Sequence, residues 1–171
     1  MRCTGILSPE DAPRQSFLEK FMAFRLRYGL KYGTVLVANG GEGAAVFLKP
    51  GHQMTPADLL VCGRLRAMLP RTKEQRDRIM GFNSFADELA ARAVKQPCWH
   101  VSSIRVAPAG QGRCIGKALM TQGLSRLHEP CFLETQSAQN VLFYQSCGFR
   151  EVFRTPVPGT DMSCWGMLWE P

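Results

Sequence analysis

The sequence predicts an α/β fold, and three stretches carry that expectation. Trp99 to Met120 runs from an apolar, β-branched segment (Val101, Ile104, Val106) through Pro108 and Gly110 into Gly112 and Gly116. It then enters the helix-forming run Lys117-Ala118-Leu119-Met120. Phe132 to Thr135 is a second buried strand, followed by a helix over Ala138 to Cys147, with Ser137 as its cap and Gly148 at its end. Thr34 to Ala38 and Ala44 to Leu48 are short β-rich runs separated by Asn39-Gly40-Gly41-Glu42-Gly43, and Asn-Gly between such runs is a strong hairpin signal.

The remaining elements follow in order. Ser8 and Pro9 suit the start of a helix in which Phe17, Phe21, Phe24 and Tyr28 recur at helical spacing as a core-facing stripe. Thr55-Pro56 opens a helix over Ala57 to Met68, which Pro70 stops. Thr72 to Val94 reads as another helix, weakened near Gly81 and Asn83, with Ile79, Phe82, Phe85, Leu89 and Val94 as its buried stripe. Phe149 to Arg154 and Met162 to Trp169 are two further strands, joined by Pro156-Val157-Pro158-Gly159.

Composition bounds the function. A chain of 171 residues is expected to form a single domain over 1–171, able to bury about 70% of its unfolded surface. Seven cysteines without a CxxC pair, and no signal peptide, point to a reducing, cytoplasmic setting, to core packing and to no metal site. No apolar run approaches the ~20 residues needed to span a bilayer. The formal charge of +7 suits an anionic ligand. Arg64, Arg66, Arg71, Lys73, Arg76 and Arg78 form a basic run, but Glu74 and Asp77 interrupt it and no aromatic residues are interleaved. A solvated helix face is therefore expected rather than a nucleic-acid surface.

The glycine loop has a chemical use. The first amides of a helix lack internal partners and carry about half a positive charge, so they hold phosphate or pyrophosphate. Arg113 and Lys117 flank that position. The spacing fits neither the dinucleotide fingerprint nor a P-loop, since no Gly-Lys-Ser/Thr follows. Asn140 and Tyr144, four apart, share one helical face.

Together, V-x-P-x-x-Q-G-x-x-x-G (Val106 to Gly116) and N-x-x-x-Y-x-x-x-G-F (Asn140 to Phe149) resemble the acetyl-CoA-dependent GNAT superfamily of N-acetyltransferases. Trp99, Leu133-Glu134-Thr135, Phe143-Tyr144, Pro158-Gly159 and Trp165 are similar to its branch containing puromycin acetyltransferase. The resemblance covers roughly Tyr28 to the C-terminus and is weakest between Pro50 and Pro97, a helical region expected to shape the acceptor side. The family usually begins with a strand and two helices before the hairpin, so a shortened start is expected here.

The resemblance implies a mixed, mostly antiparallel sheet of five or six strands flanked by helices, and split to admit the pantetheine arm. It assigns the backbone of Gln111, Gly112, Arg113, Cys114, Ile115 and Gly116, with Lys117, to the pyrophosphate. Ile104, Arg105 and Val106 are assigned to the pantetheine, and their strand's amides to the oxyanion. Asn140 is assigned to the pantetheine amides, and Tyr144 to protonation of the departing thiolate. Cys114 stands where the family usually has a second glycine. A right-handed conformation there accepts cysteine, whereas positive φ costs about 1 to 2 kcal/mol.

At pH 7 only about one amine in a thousand is neutral, a cost of roughly 4 kcal/mol that a base and desolvation must offset. His100, beside the proposed active strand, is the candidate base, because an imidazole titrates near 6.5. A packed structural histidine is the alternative, with Ser102, Ser103 and Glu134 as other polar members. The expected function is direct acetyl transfer from acetyl-CoA, as cosubstrate, to an amine in a ternary complex, by a monomer or homodimer. The alternatives are an acyl-CoA-binding module without turnover, or a basic nucleic-acid or protein-binding domain. Drug, peptide N-terminus, amino acid and polyamine all remain open as acceptors.

Overall fold

In chain order the elements are α1 (Asp11–Tyr32), β1 (Gly33–Val37), β2 (Gly43–Leu48), α2 (Pro56–Cys62), α3 (Lys73–Ala93), β3 (Trp99–Val106), α4 (Ile115–Leu124), β4 (Cys131–Thr135), α5 (Ala138–Ser146), β5 (Arg150–Pro156) and β6 (Ser163–Trp169). The computed structural model describes residues 11–51, 54–62 and 73–171. Expectations for Ser8, Pro9 and the stretch from Gly63 to Thr72, and for the side chains of Phe17, Arg76, Arg78, Ile79 and Phe82, lie outside the described residues. The strands form one sheet in the order β1-β2-β3-β4-β6-β5. Every neighbouring pair is antiparallel except β3 and β4. This is the expected mixed, mostly antiparallel sheet flanked by helices.

Two cores cover its two faces. On one, Leu119, Met120 and Leu124 of α4 and Val141 and Tyr144 of α5 pack with Ala45, Phe47, Val101 and Leu133. On the other, Phe24 and Tyr28 of α1 meet Cys62 of α2, with Tyr32 and Leu48 alongside. Phe24 and Tyr28 of the predicted α1 stripe thus face the core. Thr55 caps α2 as expected and does so reciprocally. Its hydroxyl lies 3.4 Å from the Asp58 amide, while the Asp58 carboxylate accepts from the Thr55 amide at 2.9 Å. Tyr32 donates its hydroxyl to the same carboxylate, which ties α1 to α2.

Some local expectations change. Ser137 starts α5 in extended geometry, but its hydroxyl makes no capping bond; its carbonyl accepts from the amides of Asn140 and Val141 instead. α3 passes Gly81 and Asn83 without a break. The turn between β1 and β2 contains a short 3-10 segment over Asn39–Gly41, with Gly40 and Gly41 at φ of 80° and 74°.

α4 lies close enough to β2 that a Cβ on Gly123 would sit 2.2 Å from the Phe47 ring, which is almost wholly buried. Gly123→Ala is therefore expected to destabilise the protein by about 1 to 3 kcal/mol despite alanine's better helix propensity. Urea unfolding should show a lower midpoint with an unchanged slope. Gly116→Ala, whose Cβ would approach the Phe143 ring only to 3.4 Å, should not lower it.

Candidate active site

β3 and β4 are paired at just two positions, Trp99 with Cys131 and His100 with Phe132. β3 then continues to Val106 and β4 to Thr135 without pairing, so the sheet is split along the rest of their length. A parallel ladder broken this early leaves the β4-facing backbone of β3 with no strand partner, and unpaired N–H and C=O groups there are available to a ligand. Ile104, Arg105 and Val106 lie on this open segment, half-buried.

A β-bulge sits at the head of the opening. Val46 pairs with Ser103 and Phe47 with Val101, which leaves Ser102 without a counterpart on β2. The extra residue re-aims the strand. Val101 and Ile104 both turn toward the α4 core, while Ser102 turns to the α1 side, where Arg25 Nη1 donates to its Oγ at 2.5 Å. Ser103 is buried and its Oγ has no hydrogen-bond partner among the described residues. Neither Arg25 nor the bulge has a signature in the sequence, because each depends on register and on a contact across 77 residues.

At the other end, the loop of Gln111 to Cys114 leads into the first turn of α4. Gly112 and Cys114 have φ of 77° and 58°, and Cys114 alone among non-glycine residues described has positive φ. The left-handed alternative is thus the one realised. Positive φ at Gly112 and Cys114, on either side of Arg113, is a feature that anion-binding loops share. The amide of Ala118 is the first of α4 to return to the loop, bonding the Cys114 carbonyl. The β1–β2 turn clamps the loop in place, with Glu42 accepting from the Ala107 amide through its carbonyl and from Arg113 Nη1 through its carboxylate, both at 2.7 Å. Arg113 is thus paired with Glu42, and both flanking cations, Arg113 and Lys117, are exposed. Gly112 leaves the loop's outer side open, since no described protein atom lies within 4 Å of where its Cβ would sit, whereas a Cβ on Gly116 would touch the Phe143 ring at 3.4 Å.

α5 supplies Asn140 and Tyr144 on one face, as their spacing predicts. Asn140 Nδ2 donates to Thr135 Oγ1 at 3.2 Å, which anchors the amide to the end of β4. Tyr144 packs edge-on against Phe143 and Phe149. Its phenol is pushed up to about 12, chiefly by burial and secondarily by Cys147. It is therefore protonated at neutral pH and able to donate. His100 lies on the opposite face of the sheet, paired with Leu48 on the α1 side. Its Nε2 is 2.8 Å from Glu134 Oε2, and its ring stacks on Phe132 at 6.3 Å between centroids. Asp87 of α3 lies near both. Partial burial raises its carboxyl, Glu134 raises it further and His100 opposes. Tyr144 and His100 thus lie on opposite faces of the sheet. No group of metal-ligating side chains occurs among the described residues.

Residues 72–151 match the family model described as Acetyltransferase (GNAT) domain. Among solved structures, a Corynebacterium glutamicum protein described as a histone acetyltransferase HPA2 and related acetyltransferase is 18% identical, covering 95% of this chain and 78% of its own, with a TM-score of 0.60. A Drosophila melanogaster polyamine N-acetyltransferase is 19% identical over 96% of this chain and 83% of its own, at 0.59. An agmatine N-acetyltransferase is 18% identical over 96% and 97%, at 0.60. The fold is the GNAT fold.

Cys114→Gly is expected to stabilise the free protein by up to about 1 kcal/mol, since glycine removes the left-handed strain, whereas Cys114→Ala keeps it. Equal melting midpoints for the parent and the glycine variant would show that the loop carries no such strain. Tyr144 also gives a pH dependence. Its raised folded value makes a contribution that is complete below pH 10 and is lost as pH rises from 10 toward 12. Tyr144→Phe should therefore flatten the alkaline fall in stability over that window, as read by urea midpoints.

Proposed function

We propose that this chain is an acetyl-CoA-dependent N-acetyltransferase that works by direct attack of an amine in a ternary complex. The observation that carries the reading is the split between β3 and β4, which runs from the His100 rung toward a loop with Gly112 and Cys114 at positive φ. A slot with open backbone on one wall and an anion-binding turn near its end suits a ligand with an extended amide arm joined to a pyrophosphate. The residues fit coenzyme A. The amides of Gln111 to Gly116, with Lys117 on the flank, hold the pyrophosphate, the open edge of Ile104 to Val106 bonds the pantetheine, and Asn140 meets its amides.

In the reaction, the amine nitrogen bonds to the thioester carbonyl carbon while His100, directly or through water, takes the amine's proton. Free amides on the open edge of β3 stabilise the oxyanion, each worth about 3 kcal/mol. As the C–S bond breaks, Tyr144 gives its proton to the thiolate, a role supported by a phenol that burial keeps neutral. The acceptor is a small amine or a peptide N-terminus. Polyamines and agmatine, named for two of the similar structures, belong in the first panel with the aminonucleoside drugs of the puromycin branch. The strained Cys114 favours a second reading, a module that binds acyl-CoA without turnover.

Saturating acetyl-CoA, at about a hundred times its dissociation constant, should add ~2.7 kcal/mol and raise the melting temperature by about 5 to 10 °C. No rise would remove coenzyme A from the site. A rise without thiol release on any amine would select the binding module. Tyr144→Phe is expected to lower kcat at least about tenfold with little change in acetyl-CoA affinity, measured by thiol release and by titration.

A further inference from the structure

We propose that Glu134 is a positioning residue that fixes His100 in one tautomer, with the proton on Nε2 and the lone pair on Nδ1, so that Nδ1 is the atom that receives the amine's proton. The inference rests on the reading of His100 as base. It starts from the last rung of the β3–β4 ladder. His100 and Phe132 are paired there, and Glu134 is the next residue of β4 on the same face, reaching back across the start of the split. A carboxylate offers only acceptors, so at 2.8 Å Nε2 must be the donor. No described residue bonds Nδ1. The Phe132 ring, itself against Phe153 at 6.2 Å, restricts rotation of the imidazole.

Exposure separates the two partners. The Glu134 side chain is 19% exposed and that of His100 36%, so the carboxylate is the withdrawn member and the imidazole the accessible one. A hydrogen bond to a half-withdrawn carboxylate orients a ring more firmly than a solvated surface pair does. The charged and titratable neighbours on this side are Asp87 from α3, Arg25 from α1 and Cys98 just before β3. None of them bonds the imidazole, so Glu134 alone among the described residues sets its tautomer.

The test reads the ring directly. Nitrogen-15 NMR of the full chain, at a pH where the imidazole is neutral and with His100→Gln used to assign its signals, should show Nε2 protonated and Nδ1 pyridine-like in the parent. Glu134→Gln, close in shape but able to donate or accept, should mix the two tautomers. It should also lower kcat about tenfold or more while KM for acetyl-CoA and for the amine shifts less than about twofold. Asp87→Asn should leave the tautomer as it is, which separates the direct bond from the local field. A parent protonated on Nδ1 overturns the proposal, as does a Glu134→Gln variant that keeps both tautomer and kcat. A His100→Gln variant with an undiminished rate removes His100 as base, and Glu134's role with it, even where the NMR result is the expected one. The spectra do not depend on turnover, so failure of the positioning is distinguishable from failure of the acetyl-transfer reading.

Discussion

The parting of β3 and β4 after one two-residue rung is the constraint on which the rest depends. Two neighbouring strands in a sheet normally satisfy each other's backbone groups, and leaving several residues unpaired in the middle of a sheet is costly unless something else meets them. The fold supports this gap from outside. β2 holds β3 over six paired positions, and β6 holds β4 over all five of its residues. Each strand flanking the gap therefore keeps a full ladder on its other side. The apolar faces of α4 and α5 bridge the two halves, through Leu119 and Met120 on one side and Val141 and Tyr144 on the other.

Given that gap, other features follow from it. The bulge at Ser102 changes which side chains of β3 face which layer at the point where pairing stops. It delivers Val101 and Ile104 to the α4 core and Ser102 to Arg25. The loop after β3 is not free to wander, because Glu42 fastens it to the β1–β2 turn through backbone and side chain. That clamp explains how the left-handed Cys114 is tolerated. Strain of this size persists where surrounding contacts over-determine the backbone.

The two sides of the split differ chemically. Toward α4 and α5 it is lined by aromatic and aliphatic groups, with the neutral Tyr144 phenol among them. Toward α1 and α3 it carries His100, Glu134, Asp87, Ser102 and Arg25. A single sheet provides such an asymmetry by alternating side chains through its two faces.

The sequence by itself determined the elements and the loop, because those signals are local. Asn39-Gly40, Thr55-Pro56 and Gly148 act through φ preferences and end-group bonding within a few residues, and each sits in the turn or helix end it announces. The spacing of Gly112, Gly116, Asn140 and Tyr144 likewise marked both halves of the candidate site. Only the tertiary structure decided the sign of φ at Cys114, the bulge at Ser102, the pairing of Arg113 with Glu42 and the bond between His100 and Glu134. These depend on strand register and on contacts between residues 34 to 71 positions apart or more, where a shift of one residue would send every side chain to the other face. Local pattern carries no information about that register, so the partners of the site residues become visible only when the sheet is assembled.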